Sequence, residues 1–251
     1  MKKAFTLAEV LITLGIIGVV AALTLPALIT NFQKQALKTQ FKKSYSLLTN
    51  AMHKVEADLE YIPACFGWIS SPYPVTCGQY NEAGGCEYYE VNGQPPPSDT
   101  WGSTSECTSV FWPQFLKELK IVKTCNSAAD CIPNYKGIDE ILDGDYEGPV
   151  VDYGKKRIVT GGCTHLKKAN LNTNFKNAKI LSNGMIILFN NGYVIDIDIN
   201  GKKGPNKWGY DVFSLRLERE GLQQPKIYRG ECTTVEKGGT SPTTLIQDFS
   251  K

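Results

Sequence analysis

Acidic and amide side chains alternate in Asp196-Ile197-Asp198-Ile199-Asn200-Gly201, a D-x-D-x-N-G string whose oxygens can converge on a hard cation at a glycine turn. The twelfth position of an EF-hand count is Lys207 rather than a bidentate glutamate, which argues against an EF-hand loop. The competing reading is a hairpin turn with Asn200 and Gly201 at its tip and solvated aspartates. Eight cysteines, Cys65, Cys77, Cys86, Cys107, Cys125, Cys131, Cys163 and Cys232, contain no C-x-x-C pair, a pattern of disulfides in an oxidising compartment. Eight cysteines allow 105 connectivities; the favoured pairs are Cys125 with Cys131 and Cys163 with Cys232. A zinc site from Cys125, Cys131, Cys163 and His165 is the alternative, but its spacing matches no common pattern. Cys163-x-His165 has the composition of a nucleophile and its base, yet an exported cysteine among seven others is read as oxidised. With two histidines, His53 and His165, and no phosphate cradle, nucleophile elbow or metalloprotease helix, the chain reads as no enzyme.

Glu9 is the other residue out of place. It directly precedes 24 consecutive uncharged residues, 10–33, of which 10–29 are almost wholly apolar, close to the ~20 needed to cross a ~30 Å hydrocarbon core. A carboxylate at mid-bilayer costs roughly 2.5–3.5 kcal/mol and less near an edge, so a functional partner is the first hypothesis for an acid there. The plainer reading is that Glu9 lies at headgroup level and begins the helix. Gly15, Gly18 and Ala22 offer small surfaces for close helix packing, or only the generous glycine content of a membrane span. Pro26 removes one backbone N–H, so a bend or local loosening is expected between Gly15 and Pro26.

The segment Lys3-Ala4-Phe5-Thr6-Leu7-Ala8-Glu9-Val10-Leu11 resembles the processing site of type IV prepilins and type II secretion pseudopilins: a short basic leader, a small residue, Phe, then an acid at the fifth mature position. The likeness spans residues 1 to about 60 and includes Pro26. Ala4 stands where the family usually has Gly, and Ala8 where it usually has a branched residue. The resemblance implies that a prepilin peptidase cuts between Ala4 and Phe5 and that the new Phe5 amine is methylated. Residues 1–4 are then the leader, 5–29 the membrane-spanning and later filament-core half of a long helix, and 30–251 an exported head. It implies that Glu9 neutralises the Phe5 ammonium of a neighbouring subunit; pairing with its own Phe5 amine, about 6 Å along the axis, is the rival account. Gly15, Gly18, Ala22 and Pro26 belong to the same assembly surface. The implied partners are prepilin peptidase, other pilin or pseudopilin subunits, the inner-membrane assembly machinery and the membrane. The location is the bacterial inner membrane, then a periplasmic or extracellular filament, either pilus or secretion pseudopilus. Major pseudopilins carry a calcium site near the C-terminus, and Asp198, Asn200, Asn206 and Asp211 are the residues here that match it.

Charge gives nucleic acid no support: Lys and Arg number 27 against 25 Asp and Glu, leaving +2. Lys34, Lys38, Lys42 and Lys43 follow the apolar run and outnumber Lys2 and Lys3 before it, which by the positive-inside rule would keep the head in the cytoplasm. The cysteine pattern and the leader outweigh that count. Alternatives to the filament are a disulfide-rich binding or enzymatic domain released by ordinary signal peptidase after Ala27, and an unprocessed membrane protein retaining Met1.

The elements that must position these residues follow from periodicity. Phe41, Tyr45, Leu48, Met52, Val55 and Leu59 recur at helical steps, so the first helix continues into the head over roughly 80 Å in all. Residues 62–110, rich in Gly, Pro, Ser and Cys, read as irregular loops held by disulfides. A short helix is expected over 113–122. Asn-Gly pairs then separate the apolar runs 185–189, 193–199 and 212–217, as in an antiparallel meander. The expected class is α+β, one long helix packed on an antiparallel sheet.

Overall fold

The computed structural model describes residues 6–60, 75–80, 86–96, 107–141, 150–153, 156–159, 166–174, 177–189, 194–220, 224–228 and 235–249. Its first element, α1, is one continuous helix, Leu7–Leu59, that passes through Pro26 without interruption. Residues 1–39 and 40–251 form two separate compact units. Within the second, the expected stripe is the buried face of α1: Phe41, Leu48, Met52 and Val55 lie in the core, joined by Ser44 and Ala51. Tyr45 and Leu59 are half-buried at its margins. Burying each large apolar side chain is worth about 1.5–3 kcal/mol, so this face alone anchors the helix.

The main sheet has six antiparallel strands in the order β10-β9-β8-β7-β6-β3, namely Gln224–Tyr228, Val212–Glu220, Val194–Asp198, Ile186–Phe189, Lys179–Leu181 and Ile121–Thr124. Register sorts the side chains by face. Ile187, Ile197 and Phe213 stand opposite one another, and Phe213 meets Phe41 of α1 at 4.5 Å between ring centroids. Ile186, Asp198 and Val212 form the adjacent row on the opposite face. Ile186 and Val212 pack there with Tyr135, Ile138, Leu166, Leu171 and Trp208 in a second core. The sheet is thus buried on both faces, which explains its near-continuous apolar strands.

After α2 (Trp112–Lys117), which follows a π-helical turn at Cys107–Phe111, the short elements α3 (Ala128–Cys131), α4 (Ile138–Ile141) and α5 (Lys168–Asn174) contribute to the core on the second face. An ion pair between Lys54 and Glu118 joins α1 to the end of α2. The helix expected over 113–122 stops at Lys117, and Val122 belongs to β3. The segment 62–110 is not all irregular: β1 (Val75–Tyr80) and β2 (Cys86–Val91) pair antiparallel within it. Cys86-Glu87-Tyr88-Tyr89-Glu90-Val91 contains the aromatic and β-branched residues of a strand, which the surrounding loop composition obscured. A second two-stranded pair, β4 (Val150–Tyr153) with β5 (Lys156–Val159), and a C-terminal helix α6 (Pro242–Phe249) are also present.

Candidate functional site

Two regions carry the residues singled out above. At the start of α1, Thr6 and Glu9 form a reciprocal cap. Glu9 Oε2 accepts from the Thr6 backbone N–H and from Thr6 Oγ1, each at 2.8 Å, while the Glu9 N–H donates to Thr6 Oγ1 at 3.3 Å. This is a capping box, in which the third residue of the helix reaches back to the cap residue and satisfies donors that the helix leaves orphaned. Sequence reasoning missed Thr6, although the T-x-x-E spacing of Thr6-Leu7-Ala8-Glu9 announces it. Glu9 therefore does begin the helix, and one of its oxygens is committed to that task.

Beyond the cap, the helix is long and apolar enough to cross a membrane, and its most apolar stretch is wholly unburied. Its hydroxyls need no water. Thr13 donates to the carbonyl of Glu9 at 2.9 Å, Thr24 to that of Val20 at 2.9 Å, and Thr30 to that of Pro26 at 2.8 Å. Gly15 and Gly18 have no atom within 4 Å of where a Cβ would stand, and Ala22 is exposed, so these small residues face open space. Ala4 and Phe5 lie outside the described residues.

The second region is the loop of residues 199–211 between β8 and β9. Asp198 ends β8, Asp211 immediately precedes β9, and both are fully buried. Asp198 Oδ1 accepts the backbone N–H groups of Asn200 (3.1 Å) and Gly201 (2.7 Å), and its Oδ2 accepts the Tyr135 hydroxyl at 2.7 Å. Asp211 accepts the N–H of Asn206 on Oδ2 and that of Lys207 on Oδ1, both at 2.8 Å. The Asn200 amide nitrogen donates to the Gly204 carbonyl at 2.8 Å. The solvated hairpin turn is thereby corrected. Asn200 and Gly201 open a longer loop, and the aspartates face inward because their carboxylates satisfy its backbone N–H groups. Gly201 is required at its place: φ is +64°, and an added Cβ would stand 2.4 Å from the Gly184 carbonyl oxygen.

Electrostatics make the loop unusual. Burial pushes the Asp198 carboxyl up to about 7, an effect that the Tyr135 hydrogen bond opposes and the Asp211 charge reinforces. Asp211 is also raised by burial, against the pull of its N–H donors. Tyr135 is pushed upward by burial and by the Asp198 charge, so it stays a protonated donor. Among the described residues no Lys or Arg forms an ion pair with either aspartate. Asn200 Oδ1 and Asn206 Oδ1 are buried with no hydrogen-bond partner. Two acids and two orphaned amide oxygens suit a hard cation by charge and by donor type. Among the described residues no group of three or more His, Cys, Asp or Glu converges, so amide oxygens would have to complete any such set.

The structure thus brings Asp198, Asn200, Asn206 and Asp211 into one loop and adds Tyr135, which no sequence signal near residue 200 could supply. Trp208 walls the same region, its ring 6.3 Å from Tyr135 and its Nε1 donating to the Lys136 carbonyl at 2.9 Å. The buried carboxylate of Glu236 accepts the Trp208 N–H at 3.2 Å.

Cys125 and Cys131 are joined in a disulfide with 5.9 Å between Cα atoms, both buried, which removes them from any zinc set. Cys77 is disulfide-bonded as well. Cys86 and Cys107 begin β2 and the π-helical turn. Cys65, Cys163, His165 and Cys232 lie outside the described residues, and with them the expected Cys163–Cys232 pair. Comparison with protein-family models, curated proteins and solved structures finds no match to this chain.

Proposed function

We propose that this chain is a non-enzymatic subunit of a type IV pilus or type II secretion pseudopilus, held in the membrane by α1 before assembly. The observation that carries the reading is the helix itself. It begins at a cap containing a single acid, runs unburied and apolar for a membrane's thickness, and continues without a break into the core-packed stripe of the head. A cut by ordinary signal peptidase after Ala27 would sever that helix in mid-course, which favours cleavage at Ala4–Phe5.

Cleavage there leaves an ammonium on Phe5, one residue before the cap. Glu9 Oε2 is occupied by Thr6, while Oε1 keeps lone pairs for a cation. Docking of a neighbouring subunit brings that subunit's ammonium to Oε1, and the pair sets axial register in apolar surroundings, where an uncompensated charge is costly. Gly15, Gly18 and Ala22 then let the neighbouring helix backbone approach closely.

The same proposal assigns calcium to the 199–211 loop. Asp198, Asn200, Asn206 and Asp211 would hold it, and the ion would supply the positive charge that the two buried carboxylates lack. Terminal sequencing of the protein from its native membrane tests the central reading: a methylated Phe5 is expected, and a start near Leu28 would overturn it in favour of a secreted domain.

A further inference from the structure

The 199–211 loop is held in two parts. At its base the strand ladder continues, with the Ile199 N–H donating to the Asp211 carbonyl at 2.9 Å. The outer arc folds on itself: the Lys207 carbonyl accepts the N–H groups of Tyr210, Asp211 and Val212 at 3.2, 3.3 and 3.1 Å, and Asp211 accepts those of Asn206 and Lys207. Asn206 and Asp211, two of the four oxygen donors, therefore move together with Trp208, which lies between them.

Trp208 is gripped from outside the loop on all three of its polar atoms. Its N–H donates to Glu236 Oε1 at 3.2 Å, its carbonyl accepts the Glu236 N–H at 3.0 Å, and its Nε1 donates to the Lys136 carbonyl at 2.9 Å. The next carbonyl, that of Gly209, accepts the Thr240 N–H at 2.7 Å. Gly209 is needed for this approach: φ is +79°, and an added Cβ would stand 2.7 Å from Val235 Cγ1. Glu236 is thus a third buried acid at the loop, but unlike Asp198 and Asp211 it has a cation nearby, with Lys136 Nζ 3.9 Å from its Oε2. One of its oxygens serves the Trp208 backbone and the other faces an ammonium, so it suits holding the loop rather than taking an ion.

We propose that Glu236 is a positioning residue for the cation loop: by binding both backbone polar groups of Trp208, it holds Asn206 and Asp211 in place against Asp198 and Asn200. The inference rests on the calcium reading above and goes beyond it, since it makes a segment 28 residues downstream of Trp208 part of the site. A donor set ordered in advance spends none of the ion's binding energy on ordering the arc.

The test titrates calcium chloride into the full chain, solubilised in detergent at pH 8 with disulfides intact, and reads the dissociation constant by calorimetry. Glu236→Ala should weaken binding by roughly tenfold or more, as the loss of groups that support metal ligands does. Glu236→Gln keeps an oxygen for the Trp208 N–H and gives up only an ion pair to an exposed lysine, so it should stay within about threefold of the wild type. Tyr210→Phe removes a 2.7 Å bond to the Lys237 carbonyl, loosening the same segment without touching Trp208, and should leave the constant unchanged. Should Glu236→Ala fail to fold, amide exchange of the wild type gives a second reading. Calcium should slow exchange at Trp208 and across 236–240, because coupling between binding and the segment is reciprocal. Full affinity in Glu236→Ala, an equal loss in Glu236→Gln or Tyr210→Phe, or exchange across 236–240 that calcium leaves unchanged overturns the inference. A wild-type chain that takes up no calcium refutes the calcium reading and the inference with it, a result distinct from the others because in each of those the wild type binds.

Discussion

Raising the pH from 5 to 8 in the presence of a chelator should destabilise the head, opposite to the usual behaviour of a carboxylate held by hydrogen bonds. Asp198 titrates near 7 when folded and near its ordinary 3.8 when unfolded. Between these values the folded state holds the extra proton, so stability is greatest at or below pH 4. It falls as pH rises and levels off above about 7. At ~1.4 kcal/mol per pH unit, the gap between 3.8 and about 7 corresponds to about 4 kcal/mol. Asp211 is shifted in the same direction and adds to the slope. Calcium, if it binds the four oxygen donors, favours the ionised carboxylates and restores stability at pH 8 while doing little at pH 4. Urea unfolding of the detergent-solubilised chain, followed by tryptophan fluorescence with disulfides intact, measures both effects. Asp198→Asn should flatten most of the slope. The reasoning is refuted if stability in chelator does not fall between pH 5 and 8, or if the Asn variant keeps the full slope. A calcium-independent slope would leave the buried acids as they are described and remove the metal from the loop.

Tyr135→Phe removes a hydroxyl that donates to a buried carboxylate and should cost about 1.5–3 kcal/mol in the same unfolding assay. It should also raise the Asp198 titration point further, read by carboxyl NMR. Gly201→Ala forces a Cβ against the Gly184 carbonyl at a positive φ and should destabilise the head by more than about 1 kcal/mol, while Gly15→Ala, with open space around it, should leave urea unfolding unchanged. Glu9→Ala should preserve cleavage but reduce filament yield, as seen by shearing and immunoblotting; Thr6→Val should weaken only the helix start, by about 0.5–2 kcal/mol in amide exchange of the first turn, and leave the charge pair. Normal filament yield from Glu9→Ala would contradict the charge pairing.

Much of the scaffold was legible because it depends on periodicity along the chain. Phe41, Leu48, Met52 and Val55 recur at helical steps and form the buried face of α1. The Asn-Gly pairs marked where strands end, and β7, β8 and β9 occupy three of the runs they separate. The β1–β2 pair was missed because its strands lie in loop-rich composition, where turn residues outweigh a six-residue pattern. The end of α2 at Lys117 was missed because Leu119 and Val122 continue the apolar spacing while the chain has already turned into β3.

The candidate site divides along the same line. D-x-D-x-N-G marked the point where β8 gives way to a loop, with Asp198 at the strand end and Asn200 just beyond it, and the Cys125–Cys131 pair followed from its short spacing. Local sequence could not say that the aspartates point inward, because orientation depends on which groups pack above the sheet. Tyr135 arrives from 63 residues upstream, and its hydroxyl, together with the burial around Trp208, sets the titration of Asp198. The sequence by itself determined where the apolar helix begins, where β7, β8 and β9 fall and which oxygens share a loop, since these rest on contacts between near neighbours in the chain. Only the tertiary structure decided that two carboxylates are buried with no lysine or arginine paired to them among the described residues, since desolvation is exerted by residues distant in sequence that meet only on folding.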